Sequence, residues 1–249
     1  MSCSSRSYTT ATQHPFLKAA RDQSLSKEHL SFWLAQDRIY AAHAYPRFIG
    51  ALIAKIPFSS HHRLESDEEA KNKRLLVALS GALHNVAREV DFFLESNRKY
   101  NLNVDIWEER KETRSYCAEM ARIANTCSLE EGLVFLWAME KIYLDSWTYV
   151  ASGLPTSNIE ECDSAVRAIR DFAYNWSNND FVNFVADLQT IVDDIPIQRG
   201  SDLWLRVENV WKRTIELEID FWPGRTRKFK KTIGGNNHLT SIRKNCKIM

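Results

Sequence analysis

Three acidic residues stand where helical periodicity calls for apolar ones. One stripe runs Trp33, Asp37, Tyr40, Ala44, and a second runs Leu133, Leu136, Glu140, Tyr143, Trp147, Val150. A third runs Trp204, Val207, Trp211, Ile215, Glu218, Phe221, with Trp222 alongside. Steps of three and four keep each set on one face of a helix. Each face therefore turns one carboxylate inward among Tyr and Trp side chains. An ionised carboxylate taken out of water is costly, so each must be paired, hydrogen-bonded or protonated. Three on separate helices, bordered by aromatic rings, describe one polar pocket inside a bundle. Aromatic walls stack on a flat heterocycle, and carboxylates hold its amino groups or ring nitrogens. Low polarity also raises a carboxyl's pKa, which makes a general acid near neutral pH. Taken singly, each inward acid also fits half of a structural ion pair. Tyr116, on a helix of mixed face, and Trp176, in a loop-like Asn-Trp-Ser-Asn-Asn stretch, fit the pocket with less force. Both read first as packing residues.

The elements that must carry these side chains are helices. From about Ser26 to Pro223, apolar positions recur at three and four through segments of roughly 20 to 30 residues. Breakers cluster at Ile56 to His62, Asn97 to Asn103, Asn125 to Ser128, Gly153 to Ser157 and Pro196 to Ser201. Ser128-Leu-Glu-Glu131 has the Ser-x-x-Glu pattern that caps a helix start reciprocally. No alternation of period two supports strands. The chain reads as one all-α domain over residues 1–224, a single bundle of about seven or eight helices. After Pro223-Gly224 the apolar periodicity stops, and residues 225–249 read as a basic, flexible tail.

The 249 residues carry 44% hydrophobic and 26% charged side chains, with 8 Gly and 6 Pro, which excludes collagen and a turn-rich sandwich. No apolar run reaches the ~18 residues of a membrane span, and the N-terminus lacks the apolar core of a signal peptide. A cytoplasmic protein is expected. The net charge of +1 conceals an asymmetry. The tail holds eight basic residues and no acid, leaving 25 basic and 32 acidic side chains for residues 1–224. An acidic body argues against nucleic-acid binding, while the tail could touch anionic lipid or an acidic partner. Five cysteines without a Cys-x-x-Cys pair give neither a zinc spacing nor a disulfide framework.

Other chemistries fit less well. Inward carboxylates also suggest a di-iron site, but Glu-x-x-His is absent and neither His43 nor His84 has an acid in step. His14 is the best-placed single His for a haem, and a capping role suits it as well. No Gly-rich phosphate loop follows a strand. Cys117 has no neighbour that would lower its pKa, so it reads as a structural thiol. The last four residues, Cys246-Lys-Ile-Met249, match a prenylation box, and the basic stretch upstream would supply the second signal for membrane association.

His14-Pro-Phe, Phe32-Trp-Leu-Ala-Gln-Asp37-Arg-Ile-Tyr40, Leu136-Trp-Ala-Met-Glu140-Lys-Ile-Tyr143 and Glu216-Leu-Glu218-Ile-Asp-Phe221-Trp222 together resemble the TenA (thiaminase II) family, closer to its eukaryotic TENA_E branch. The resemblance spans about residues 10–223. It implies a haem-oxygenase-like all-α fold without haem or other cofactor and without a metal site. It also implies a homodimer and, in thiamin salvage, hydrolysis of an aminomethyl-pyrimidine to hydroxymethylpyrimidine, with the N-formyl form left open as a further substrate. By the same resemblance Asp37, Tyr40, Tyr116, Trp176 and Phe221 bind the substrate, and Glu218, Glu140 and Tyr143 are catalytic. The family's nucleophilic Cys corresponds to Met139, whose thioether cannot attack a ring carbon, so thiaminase activity is not expected. Two further readings stay open: a non-catalytic pyrimidine-binding or scaffold protein, and a metal-dependent oxygenase on the same fold.

Overall fold

Hydroxyl and amide caps fix where the helices begin. In the computed structural model, which describes residues 5–155 and 162–224, the side chains of Ser26, Ser66, Ser128, Asn178 and Ser201 each accept from the backbone N–H three residues on. Each cap satisfies one of the N–H groups that a helix start leaves open. The helices are α1 (Ser5–Thr12), α2 (Pro15–Arg21), α3 (Lys27–Ile39), α4 (Tyr45–Ala54) and α5 (Asp67–Tyr100). They continue as α6 (Lys111–Thr126), α7 (Leu129–Ala151), α8 (Ser164–Asn175), α9 (Asn179–Asp193) and α10 (Asp202–Phe221). A π-helical turn, Tyr40–Ala44, joins α3 to α4 without a break. From Ser26 onward the described residues form seven continuous α-helical stretches and a 3-10 turn, Val104–Ile106. With α1 and α2 ahead of them the helices slightly exceed the seven or eight expected, and α6, α8 and α9, of 16, 12 and 15 residues, are shorter than the periodic segments suggested. No β-sheet occurs among the described residues.

Among the described residues the predicted breakers fall between helices, except that α6 takes in Asn125 and Thr126 and α5 runs past Asn97. α5 runs 34 residues, on through Asn97 to Tyr100, and the chain reverses at Asn101 (φ 50°) and Asn103 (φ 55°). Asparagine tolerates that left-handed region because its short side chain can bond locally.

α7 is the axis of the bundle. It packs against α1, α2, α8, α9 and α10 and is buried on nearly every side, as a helix apolar all round must be. Around it the apolar core runs from Phe16 to Trp222. At its centre Trp33 meets Trp147 at 5.1 Å between ring centroids, Phe172 at 5.4 Å, Trp176 at 5.8 Å and Phe16 at 5.9 Å. No helix among the described residues is long and apolar enough to cross a membrane. The basic tail and Cys246 lie outside the described residues.

Candidate active site

α3 delivers Asp37 to the interior. The residue before it, Gln36, is fully buried and ties the helix down: its Oε1 accepts from the Arg110 backbone N–H (2.9 Å) and the Thr113 hydroxyl (2.8 Å). Its Nε2 donates to the Glu108 carbonyl at 3.0 Å. Asp37, 3% exposed, accepts from the Tyr143 hydroxyl of α7 at 2.5 Å. Burial raises its pKa well above the ordinary value, the Tyr143 bond opposes that, and Glu89, Glu218 and Glu140 push it further up.

The π turn then places two tyrosines on one wall. In an α-helix, residues five apart diverge by about 140°. Here the Tyr45 N–H closes onto the Tyr40 carbonyl, which widens the turn and brings both rings to the cavity, 6.3 Å apart. Pro46 supplies a local reason, since it has no N–H for the Ala42 carbonyl and its ring crowds that group. The Tyr45 hydroxyl donates to Glu140 Oε1 at 2.5 Å, and the Tyr40 hydroxyl to Met139 Sδ at 3.0 Å. Burial and the neighbouring carboxylates raise all of these phenols, so they stay protonated and act as donors.

The cavity is small, with a volume of about 40 Å³, and is lined by Asp37, Tyr40, Tyr45, Glu140, Tyr143 and Trp176 among others. A third carboxylate, Glu89 of α5, lines it too. Trp176, the C-cap of α8, donates its indole N–H to Glu89. Burial pushes Glu89 up to about 7, held back by Trp176, Arg88 and Asn175. Burial likewise raises Glu140 to about 8, opposed by the Tyr45 bond and reinforced by Glu89 and Glu218. Glu89 and Glu140 nonetheless keep part of their surface open to the cavity. Among the described residues, no three His, Cys, Asp or Glu side chains are grouped to hold a metal ion.

Residues 5–228 match the profile of the TENA/THI-4/PQQC family. The chain belongs to that family. A Pyrococcus furiosus TenA homologue of solved structure superposes with a TM-score of 0.71 at 21% identity, over 87% of this chain and 93% of its own, and shows the helical haem-oxygenase-like fold. A Glycine max protein called "Probable bifunctional TENA-E protein" is 21% identical over 86% of each chain. A Fusarium pseudograminearum protein called "Probable transcription factor" is 30% identical over 88% of this chain, which spans only 49% of that relative.

In this TenA-family chain, five of the eight expected site residues line the cavity: Asp37, Tyr40, Glu140, Tyr143 and Trp176. The other three stand one layer deeper, around the Tyr40 ring, which meets Tyr116 at 5.0 Å and Phe221 at 5.7 Å. Tyr116 in turn donates to Glu218 Oε1 at 2.5 Å. Glu218 is 1% exposed, and burial raises it to about 8 against the opposing Tyr116 bond. Trp176 and Tyr116, which the sequence placed as packing residues, thus do more than fill space. His14 caps α2, accepting from the Phe16 N–H at 3.2 Å. Burial pushes the Cys117 thiol up to about 11, so it is no ready nucleophile.

Sequence reasoning passed over Glu89 and Tyr45. Glu89 lies on the α5 stripe Leu79, Ala82, Val86, Glu89, Phe93, Ser96, Tyr100, whose other members are all buried. It is an inward acid at steps of three and four, the same signal that marked the other three. Tyr45 takes the inward position that α-periodicity assigned to Ala44, because the π turn adds one residue; Ala44 is only half-buried.

Proposed function

We propose that this chain hydrolyses an aminomethyl-pyrimidine to hydroxymethylpyrimidine and ammonia in thiamin salvage. The observation that carries the reading is a set of three carboxylates, Asp37, Glu89 and Glu140, lining one aromatic-walled cavity, with Glu218 one layer behind, each held by an aromatic O–H or N–H donor. In the reaction, water oxygen bonds to the methylene carbon, the C–N bond breaks, and the nitrogen departs protonated. Asp37 holds the ring's amino group while the rings of Tyr40 and Trp176 flank the heterocycle. Glu140, open to the cavity, takes the proton from the attacking water in its ionised form, a fraction that grows as pH rises toward about 8. Glu218, one layer behind the cavity, supplies the proton for the leaving nitrogen by way of the Tyr116 and Tyr40 hydroxyls, its protonated form favoured by burial. The cavity presents the Met139 thioether where family members carry a nucleophilic thiol, and Cys117, Cys127 and Cys162 do not line it. Direct attack by water, without a covalent intermediate, follows from that lining.

The same missing thiol gives a second reading some footing: a protein that binds pyrimidines without turning them over. Release of hydroxymethylpyrimidine by purified protein, with Asp37→Asn and Glu218→Gln alongside, separates the two. Turnover lost in both variants supports the hydrolase. Tight binding without turnover in the parent chain supports the binder and overturns the hydrolase.

A further inference from the structure

The carboxylate-lined cavity is smaller than the pyrimidine proposed for it. At about 40 Å³ it has room for about three waters, each needing roughly 10–15 Å³ on this measure. A substituted pyrimidine is larger, so the wall must yield, and one part of the wall backs onto open space. Phe184 of α9 lines the cavity and also lines a groove of about 750 Å³ between α5 and α9. Its ring is half-buried and leans on Phe181, the centroids 6.1 Å apart. α9 packs chiefly on α7 and only lightly on α5, so the seam that Phe184 closes is weakly held. On the α5 side the groove is walled by Val77, Ala78 and Gly81, and a Cβ built on Gly81 meets nothing within 4 Å. Asp180 lines the groove beside the cavity-lining Phe181, while Lys73 and Arg74 lie about three turns of α5 from Asn85 of the cavity wall.

We propose that the substrate reaches the cavity along the α5/α9 groove and that the Phe184 ring is the gate, setting the width of the molecule admitted. That this molecule is a pyrimidine rests on the aminopyrimidine reading; the gate itself does not. A half-exposed ring changes rotamer far faster than packed helices move, so it is the part of this wall that opens most readily. With the ring turned aside, cavity and groove join into one space within the ~300–1,000 Å³ usual for small-molecule sites. When it returns, the ring shuts out bulk water and strengthens the bonds between the carboxylates and a bound amine.

Two rates measured on the full chain test this. The first is peptide-resolved labelling at pH 9, with methyl and benzyl methanethiosulfonate, of the thiol introduced by Met139→Cys on the cavity wall. The second is association of hydroxymethylpyrimidine, followed by stopped-flow tryptophan fluorescence, since Trp176 lines the cavity. Phe184→Ala should speed both at least about tenfold and erase any preference for the methyl reagent, because local opening no longer limits entry. Gly81→Leu places a side chain in the open groove and should slow both several-fold, while the better helix former keeps α5 folded. Unchanged rates in both variants overturn the proposal. So does a rise in Phe184→Ala that is equal at position 139 and at Cys117, which lines neither space, since that would mark general loosening. Labelling that shifts as expected, with no pyrimidine bound by any variant, would leave the gate standing while the aminopyrimidine reading falls. Turnover of aminomethyl-pyrimidine with both rates unmoved by either variant would do the reverse.

Discussion

The Tyr116 hydroxyl donates to Oε1 of Glu218 at 2.5 Å, while Oε2 of the same carboxyl lies buried without a hydrogen-bond partner. A buried acceptor with nothing to accept is costly when charged, so the proton belongs on Oε2. That leaves Glu218 a neutral acid with its proton uncommitted, which is the state a donor to a departing amine needs. Glu218→Gln keeps the shape and removes the transferable proton. Its kcat should fall about 10²–10⁴-fold with KM nearly unchanged, the range of one positioned acid–base group. Steady-state kinetics on aminomethyl-pyrimidine check this, and undiminished kcat would remove Glu218 from the reaction.

The raised carboxyls also tie stability to pH. Glu89, Glu140 and Glu218 ionise at about 7, 8 and 8 in the folded chain, against an ordinary 4.5. Below pH 4.5 folded and unfolded chains both hold these protons. Between 4.5 and about 8 the unfolded chain has released them and the folded chain has not, so stability falls as pH rises through that window. Melting temperature should therefore decline from pH 5 to pH 8, and less steeply in a Glu140→Gln, Glu218→Gln double variant. Parallel pH profiles for the two proteins would contradict the assignment.

Helical periodicity carried most of the fold and much of the site into the sequence. Asp37, Glu140 and Glu218 were legible because a charge on an apolar stripe is costly and so conspicuous. Glu89 carried the same mark on α5, within reach of the same argument. Tyr45 was hidden, because the π turn shifts the inward face by one residue and α-periodicity then points to Ala44. Trp176 and Tyr116 were hard to weigh for another reason. Aromatic residues at core spacing look alike whether they pack or donate, and only the partners, Glu89 and Glu218, tell them apart. Nor does a sequence say which inward acid meets open space and which, like Glu218, lies behind a tyrosine ring.

Met139, 2% exposed, accepts from the Tyr40 hydroxyl and lines the cavity. Met139→Cys would put a thiol where family resemblance places the thiaminase nucleophile. The surroundings oppose its ionisation, since burial and nearby carboxylates both raise a thiol's pKa. Thiamin cleavage should accordingly be undetectable near pH 7 and emerge only above about pH 8, as the thiolate forms. The shorter side chain should also cost about 1–3 kcal/mol through the space it leaves. Thiamin consumption followed from pH 6 to 10, together with thermal melts, tests both parts. Full activity at pH 7 would mean that the cavity does not hold thiols protonated.

The start of α7 offers a test of support as distinct from chemistry. The Glu131 N–H donates to Ser128 Oγ at 3.3 Å, and the Ser128 N–H donates back to Glu131 Oε2 at 3.0 Å, the reciprocal cap the sequence indicated. Ser128→Ala removes one half of it and should destabilise the protein by about 1 kcal/mol. In a chain of this size that lowers the melting temperature by roughly 2–4 °C. Glu140 lies twelve residues further on, about 18 Å along the helix axis, and the intervening turns are packed on nearly every side. The change at the cap should therefore leave kcat and KM as they were. A melting shift with unaltered kinetics would place the cap in the scaffold. A loss of kcat at unchanged melting temperature would mean instead that the position of α7, and with it Met139, Glu140 and Tyr143, is set from its first turn.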